Sequence, residues 1–339
     1  MALRTLFITC LMLLMMTGCN NNALDVDTSD IKTEPLRLMR LEDDVFAITE
    51  ENIDEKTELI KNKYGEYFDH YLMGFLCRNG TSDSLYKPTM LSFVSDRDVL
   101  ECYRYVQKMF PDEVLQEMLP ELDQCVKRFR YHFPGLQLPR RWVTCLTGWN
   151  YSMAYLDSNL VTGLDMYLGD TAKFYAMLRY PQYQVRRMNR TYMLPDIARG
   201  WLLTEFDKAP SQNTLLHHTI FYGKLFYAVN ALLPDMPDSL IIGYTPEQMQ
   251  YCKTYEKQLW KYFADKNRLF ENNMNTVREL TSEGPFTGAI SKDCPPRIAM
   301  WVGWQIVRNY MEKNPEIKLA SLMSDQDAQN ILNKSRYRP

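Results

Sequence analysis

Apolar residues recur at intervals of four through Ile60, Tyr64, Phe68 and Leu72, which predicts an amphipathic helix over about 51–75. Asp96 suits an N-cap, and Val99, Tyr103, Val106 and Phe110 share one face of the helix it would start. Pro111 and Pro134 bracket a third helix carrying Val114, Met118, Leu122, Val126 and Phe129. The texture changes after Pro139. WVTCLTG, YSMAYL and NLVTGLDMYLG are rich in β-branched and aromatic residues, and Asp157-Ser158-Asn159 supplies a turn between the last two. A small sheet with a hairpin is therefore expected over about 140–168. Helical patterning returns from Thr171. Thr245-Pro246-Glu247-Gln248 joins a Thr cap, a Pro at the first helical position and a Gln three residues after the cap, opening a helix predicted to reach about Ala264. After Pro296 comes a helix apolar nearly all round, with Met300, Trp301, Gly303, Trp304, Val307 and Tyr310, and such a helix belongs in a core. The pattern as a whole gives an α+β fold, predominantly α-helical with one small β-sheet. It forms a single globular domain over 35–339, helical over 50–134, with the sheet at about 140–168 and helices again over 171–339.

The first 34 residues do not belong to that body. Arg4 is followed by an apolar run over 6–16 that is too short to span a bilayer, which needs roughly 20 apolar residues. Met16-Thr17-Gly18-Cys19 then has the form of a bacterial lipobox, so 1–18 reads as a lipoprotein signal peptide and Cys19 as the lipid attachment site. The thiol takes the diacylglyceryl group, and each buried CH₂ of the acyl chains contributes about 0.8 kcal/mol to anchoring. Cys10 leaves with the signal. Asn20 rather than Asp follows the cysteine, which favours an outer-membrane lipoprotein; the leaflet is not readable from the sequence, and a periplasm-facing placement is favoured. The polar, acidic stretch over 19–34 has no periodicity and reads as a flexible tether of roughly 20 Å average span.

Composition adds mainly exclusions. The chain is 46% hydrophobic and 13% aromatic, enough for a substantial core. Its net charge of −3 becomes −4 once Arg4 is removed, which gives no signal for nucleic acid. Arg186, Arg187 and Arg190 form a short basic cluster read as a solvated face. Six cysteines remain in the mature chain with no C-x-x-C among them, and buried single thiols are expected. Of four histidines, none stands in H-E-x-x-H or at i, i+4. His217 and His218 are adjacent and so point about 100° apart on a helix. No Walker loop, G-x-S-x-G or G-x-G-x-x-G occurs. No metal, cofactor or catalytic residue is assigned.

The order of segments in the second half carries a resemblance. NLVTGLDMYLGDTAKFY, LPDIARGWLLTEF, TLLHHTIFYGKLFYAVNALLPDMPDSLIIGYTPEQ, PPRIAMWVGWQIVRNYM and NILNKSRYRP occur in that order. The series resembles the gliding motility lipoprotein family GldB, closely from about residue 135 onward and more weakly before it. LRLMRLEDDVF fits the family's opening strand. The resemblance implies an outer-membrane lipoprotein with a mechanical or assembly role in gliding motility or the envelope machinery associated with type IX secretion. The family is in turn similar to predicted zinc peptidases, in which an edge strand precedes an H-E-x-x-H helix. NLVTGLDMYLG stands in the place of that strand. The helix at 194–206 stands in the place of the zinc helix, but it offers Asp196, Arg199 and Glu205. Tyr222 stands where a later glutamate ligand would be. Without imidazoles zinc is not held, so the implied scaffold is degenerate and zincin-like.

That implication names a groove. Asp165, Asp196, Arg199, Tyr222, Lys224 and Arg308 would line or flank it, and the NLVTGLDMYLG strand would take an extended chain by strand addition. The bland reading of each is structural: Asp196 caps its helix, Arg308 pairs with a neighbour, and Trp301 and Trp304 are core. The expected partners are the membrane, through the N-terminal lipid, and other envelope proteins or an extended peptide. The alternatives are a hydrolase or metallopeptidase-like enzyme with an unrecognised site, and a purely structural subunit.

Overall fold

The computed structural model describes residues 24–206, 210 and 212–339. The signal peptide expected over 1–18 and the expected lipid site Cys19 lie outside the described residues.

The chain opens on strand β1 (Arg37–Arg40). The helical first third follows as α1 (Leu41–Phe46), α2 (Ile53–Tyr64), α3 (Tyr67–Phe75), α4 (Tyr86–Ser95), α5 (Arg97–Met109), α6 (Asp112–Gln116) and α7 (Leu119–His132). Strands β2 (Arg141–Cys145), β3 (Met153–Leu156) and β4 (Asn159–Gly163) come next. Then come α8 (Lys173–Met177), α9 (Gln182–Val185), α10 (Met193–Phe206), α11 (Leu215–Leu232), α12 (Asp238–Ile242), α13 (Pro246–Thr254) and α14 (Glu256–Ala264). The chain closes with α15 (Met274–Thr281), α16 (Ile298–Lys313), α17 (Leu319–Ser324) and α18 (Ala328–Ser335).

The α+β class holds: the described residues are mostly helical with one four-stranded sheet in the order β1-β2-β4-β3. β1, β2 and β4 run parallel, and β3 returns antiparallel to β4. The hairpin turn is Asp157-Ser158, both with positive φ (51° and 62°), between the paired Leu156 and Asn159. Two successive left-handed residues give the twist a two-residue hairpin needs. One correction follows from the strand order. β4, the strand within NLVTGLDMYLG, is paired on both sides and buried throughout, so it is not an edge and cannot accept an added strand. The sheet edges are β1 and β3.

Helices cover both faces. Val143, Cys145 and Val161 point toward α2, α3 and α4, against Ile60, Phe68, Tyr71 and Met90. Trp142 and Leu160, on the opposite face, join a larger core built on α7, α10, α11 and α16. Glu42, fully buried, ties α1 to the sheet: it accepts from Thr144 Oγ1 (2.8 Å) and Arg40 Nε (2.8 Å).

Several boundaries differ from the periodic pattern. The helix expected over 51–75 is broken at Gly65, whose φ 68°, ψ −147° is open only to glycine. The helix between Pro111 and Pro134 restarts because Pro120, in the first turn of α7, has no N–H to donate backward. α4 falls where no element was expected. Asp96 caps α5 through the Asp98 and Val99 amides, and Thr245 and Gln248 form the full capping box of α13. The N-terminal segment departs most. Residues 24–36 lie along α7 rather than hanging free: Asp25 pairs with Arg128 (3.4 Å), Thr28 Oγ1 donates to Gln124, and Asp123 accepts from the Leu36 amide (2.9 Å). Residues 24–34 of the tether expected over 19–34 are therefore packed on the body, and 19–23 lie outside the described residues.

α11 and α16 are nearly all apolar and cross at backbone contact. A methyl group added at Gly303 would overlap the Thr219 carbonyl, and one at Gly223 would overlap the Gly303 carbonyl. Backbone cannot yield as a flexible side chain can. Gly303→Ala is therefore expected to cost about 3 kcal/mol or more in urea unfolding. Gly288→Ala, where the nearest neighbour of the new methyl is 3.7 Å away, should be nearly neutral. Equal stability of the two variants would disprove the close crossing.

Candidate functional site

A large cavity, about 1030 Å³, is a groove bounded by the last turns of α7 and α11, the start of α12 and the second half of α16. Leu24 and Val26 of the N-terminal segment form part of its wall. Pro234 and Met236 bring the chain round the end of α11, and Pro237 precedes Asp238 at the first position of α12. That placement aims Asp238 at α16. Arg308 meets it with both terminal nitrogens, Nη1 to Oδ2 and Nη2 to Oδ1, each at 2.6 Å. Nη2 also donates to Asn230 Oδ1 (3.1 Å), and the guanidinium lies 3.9 Å from the centre of the Trp304 ring. Bidentate pairing and ring stacking use the flat shape of the arginine head, which lysine lacks. His132 lies at the other wall. Burial first, then Arg128, holds its imidazole down at about 4, so it is neutral at physiological pH. The groove thus presents apolar walls, one internally satisfied ion pair and a neutral imidazole, with Glu312, Glu316 and Lys318 on the side of α16 and the turn after it.

The six groove residues named from the sequence do not converge. Arg308 alone lines this cavity. Asp165 is 1% exposed and accepts from the Thr147 amide (3.0 Å), the Thr147 hydroxyl and the Trp149 amide (2.7 Å). It fastens the loop after β2 to the end of β4 and lines no groove. Asp196 sits in the first turn of α10, where it accepts from Tyr167 Oη (3.0 Å) and pairs with Arg199 one turn on. Lys224 is buried, and its Nζ donates to the carbonyls of Met323 (3.3 Å) and Asp325 (2.6 Å), closing the C-terminal end of α17. Burial lowers that ammonium to about 8. Tyr222, half-buried against Phe221, is two residues from Lys224 and so projects about 200° away around α11. Trp301 and Trp304 are core, at 3% and 0% exposure. His217 Nδ1 lies 2.7 Å from Thr214 Oγ1 at the start of α11. Among the described residues no three His, Cys, Asp or Glu side chains gather as metal ligands do.

Asp238, Asn230 and His132 were not singled out in the sequence. Asp238 lies 70 residues from Arg308, and its only local signal is the Pro237-Asp238 helix start.

The family model for gliding motility protein GldB matches residues 21–339. The chain belongs to the GldB family. The match takes in the helical first third, where the segment order carried little. No curated protein and no solved structure matches the chain. Family membership makes this GldB-family chain a gliding motility-related lipoprotein of the cell envelope. Among the described residues no helix is long and apolar enough to cross a membrane.

Asp165 and His132 give this GldB-family protein opposed pH dependences. Burial pushes the Asp165 carboxyl up from 3.8 to about 6, against the hydrogen bonds of Trp149 and Thr147. Between these values the folded protein holds a proton that the unfolded chain has released, so this contribution to stability falls as pH rises. For His132 the unfolded chain holds the proton between about 4 and 6.5, so its contribution rises with pH. Each amounts to about 3 kcal/mol at most. Asp165→Asn should therefore make unfolding free energy climb more steeply than wild type across pH 4–6.5, and His132→Gln less steeply, in urea titrations at each pH. Superimposable curves would refute both assignments.

Proposed function

We propose that this protein is an outer-membrane lipoprotein, anchored through acyl chains on Cys19 and facing the periplasm, that holds a partner and does not cut one. The partner would be another envelope protein, or an extended peptide from one, within the gliding or type IX secretion-associated machinery. The observation that carries the reading is the groove beside the N-terminal segment, whose Arg308 is already paired and whose histidine is neutral. A hydrolytic site needs a base in reach of a nucleophile or a metal-bound water, whereas this lining suits complementarity.

Position supports it too. Cys19 is five residues from Leu24, which at full extension reaches roughly 17 Å. An acylated Cys19 would keep the groove close to the headgroups. The scaffold is read as degenerate and zincin-like. α10 packs against β3, the antiparallel edge strand, and carries Asp196, Arg199 and Glu205 where a zinc helix would carry histidines.

Cys19→Ala should move the full-length protein from the membrane pellet to the soluble fraction of disrupted cells without lowering its melting temperature. A variant still sedimenting with membranes would refute the anchor. A photo-crosslinking residue at Glu312, in the groove, should give one discrete adduct in intact cells, and one at Glu58, on α2, should not. Equal adducts at both positions, or stoichiometric zinc in the purified protein, would overturn the holding role.

A further inference from the structure

A second cavity, about 270 Å³, lies where α9, the start of α13 and the loop before α16 meet. Three guanidiniums line it, those of Arg186, Arg187 and Arg297, against one carboxylate, Glu283. Arg297 is 4% exposed and sits in the left-handed region (φ 56°) at the N-cap of α16. Its Nη2 donates to the Ile242 carbonyl (2.9 Å), and its guanidinium carbon is 5.5 Å from the centre of the Tyr244 ring. Its Nε is 3.3 Å from Glu283 Oε1, but off the hydrogen-bond direction, and has no partner. Arg187 Nη2 takes the same Oε1 at 2.9 Å. Gly243 (φ 74°) lets the backbone pass so close that an added methyl would come within 2.8 Å of Arg187 Nη1.

A buried, unpartnered guanidinium N–H costs free energy unless something accepts from it. Here one carboxylate oxygen serves two arginines, while Arg186, exposed at the rim, has no ion pair within 4 Å among the described residues. Burial raises the Glu283 carboxyl, but Arg297 and Arg187 more than offset this and hold it below its ordinary range. The cavity therefore keeps an excess of positive charge beside an ionised acceptor. Gln182 and Gln248 add side-chain amides to its wall.

We propose that this cavity is a binding site for a carboxylate of an acidic polypeptide segment, seated on Arg297 and Arg186 next to Glu283. An ionised carboxylate supplies the acceptor that Arg297 Nε lacks, and Glu283 already shows that a carboxylate fits between these arginines. Polypeptide is favoured over phosphate by Glu283 itself. Held ionised in the cavity, it repels a divalent phosphate more strongly than a single carboxylate, and a peptide brings N–H donors that a phosphate group does not. The site is distinct from the Arg308 groove and does not depend on the function proposed for it.

The test is fluorescence polarisation with the full-length protein in detergent and a labelled peptide of sequence Gly-Glu-Gly-Glu-Gly-Asp. Arg186→Gln, at an exposed position, should weaken binding about tenfold, as loss of one charge-assisted contact does. The peptide with Gln and Asn in place of its acids should not bind, and Arg97→Gln, at an exposed arginine on α5, should leave binding unchanged. Inorganic phosphate at the same concentration should not displace the peptide. Absence of peptide binding, equal binding by the neutral peptide, full retention in Arg186→Gln, or displacement by phosphate would each overturn the proposal.

Discussion

Everything on the C-terminal side of the sheet is set by the distance between two backbones. Where α11 crosses α16, Gly223 and Gly303 remove the side chains that would hold the helices apart, and the Thr219 carbonyl fills the space. A glycine inside a helix costs roughly 0.5–1 kcal/mol in chain freedom. That cost is offset by apolar burial along both helices, including Phe226 against Trp304 with ring centres 5.7 Å apart. α18 packs on this pair and α15 flanks it, so the crossing sets where each of them can dock.

α16 in turn organises both cavities. Arg297 caps its start and Arg308 lies eleven residues on, roughly 16 Å along the axis. The two arginines are used differently. Arg308 is saturated by Asp238, Asn230 and the Trp304 face, and so shapes a wall. Arg297 shares a single carboxylate oxygen with Arg187 and keeps an unanswered N–H. The same side chain on the same helix thus serves as structure at one end and as an open electrostatic demand at the other.

What the sequence disclosed followed the range of the forces involved. Local rules worked: the Asp96 and Thr245 caps, the Asp157-Ser158 turn and the all-apolar helix after Pro296 are each decided within a few residues. Interruptions were less visible. Gly65 and Pro120 break helices that the four-residue spacing would carry through, because apolar periodicity does not register a backbone that cannot continue. Strand order was least legible. β4 carries the buried, β-branched character of a central parallel strand, yet its place between β2 and β3 is set by pairing, as is that of β1, which joins the far side of β2 from about a hundred residues earlier. The groove residues failed for a related reason. Asp165, Lys224 and Asp196 are polar groups inside an apolar pattern, and each proves to hold a loop, a helix end or a neighbouring side chain. Arg187, taken as part of a solvated face, is drawn inward by Glu283, a partner that spacing along the chain cannot reveal.

The six cysteines of the body, Cys77, Cys102, Cys125, Cys145, Cys252 and Cys294, are all buried and all reduced. Burial raises each thiol above its ordinary ionisation range, which suppresses the thiolate that oxidants and exchange partners attack. The body therefore folds without a disulfide step. It can reach its final shape in a cell with or without disulfide-forming enzymes, and the redox state outside the cytoplasm has little hold on it.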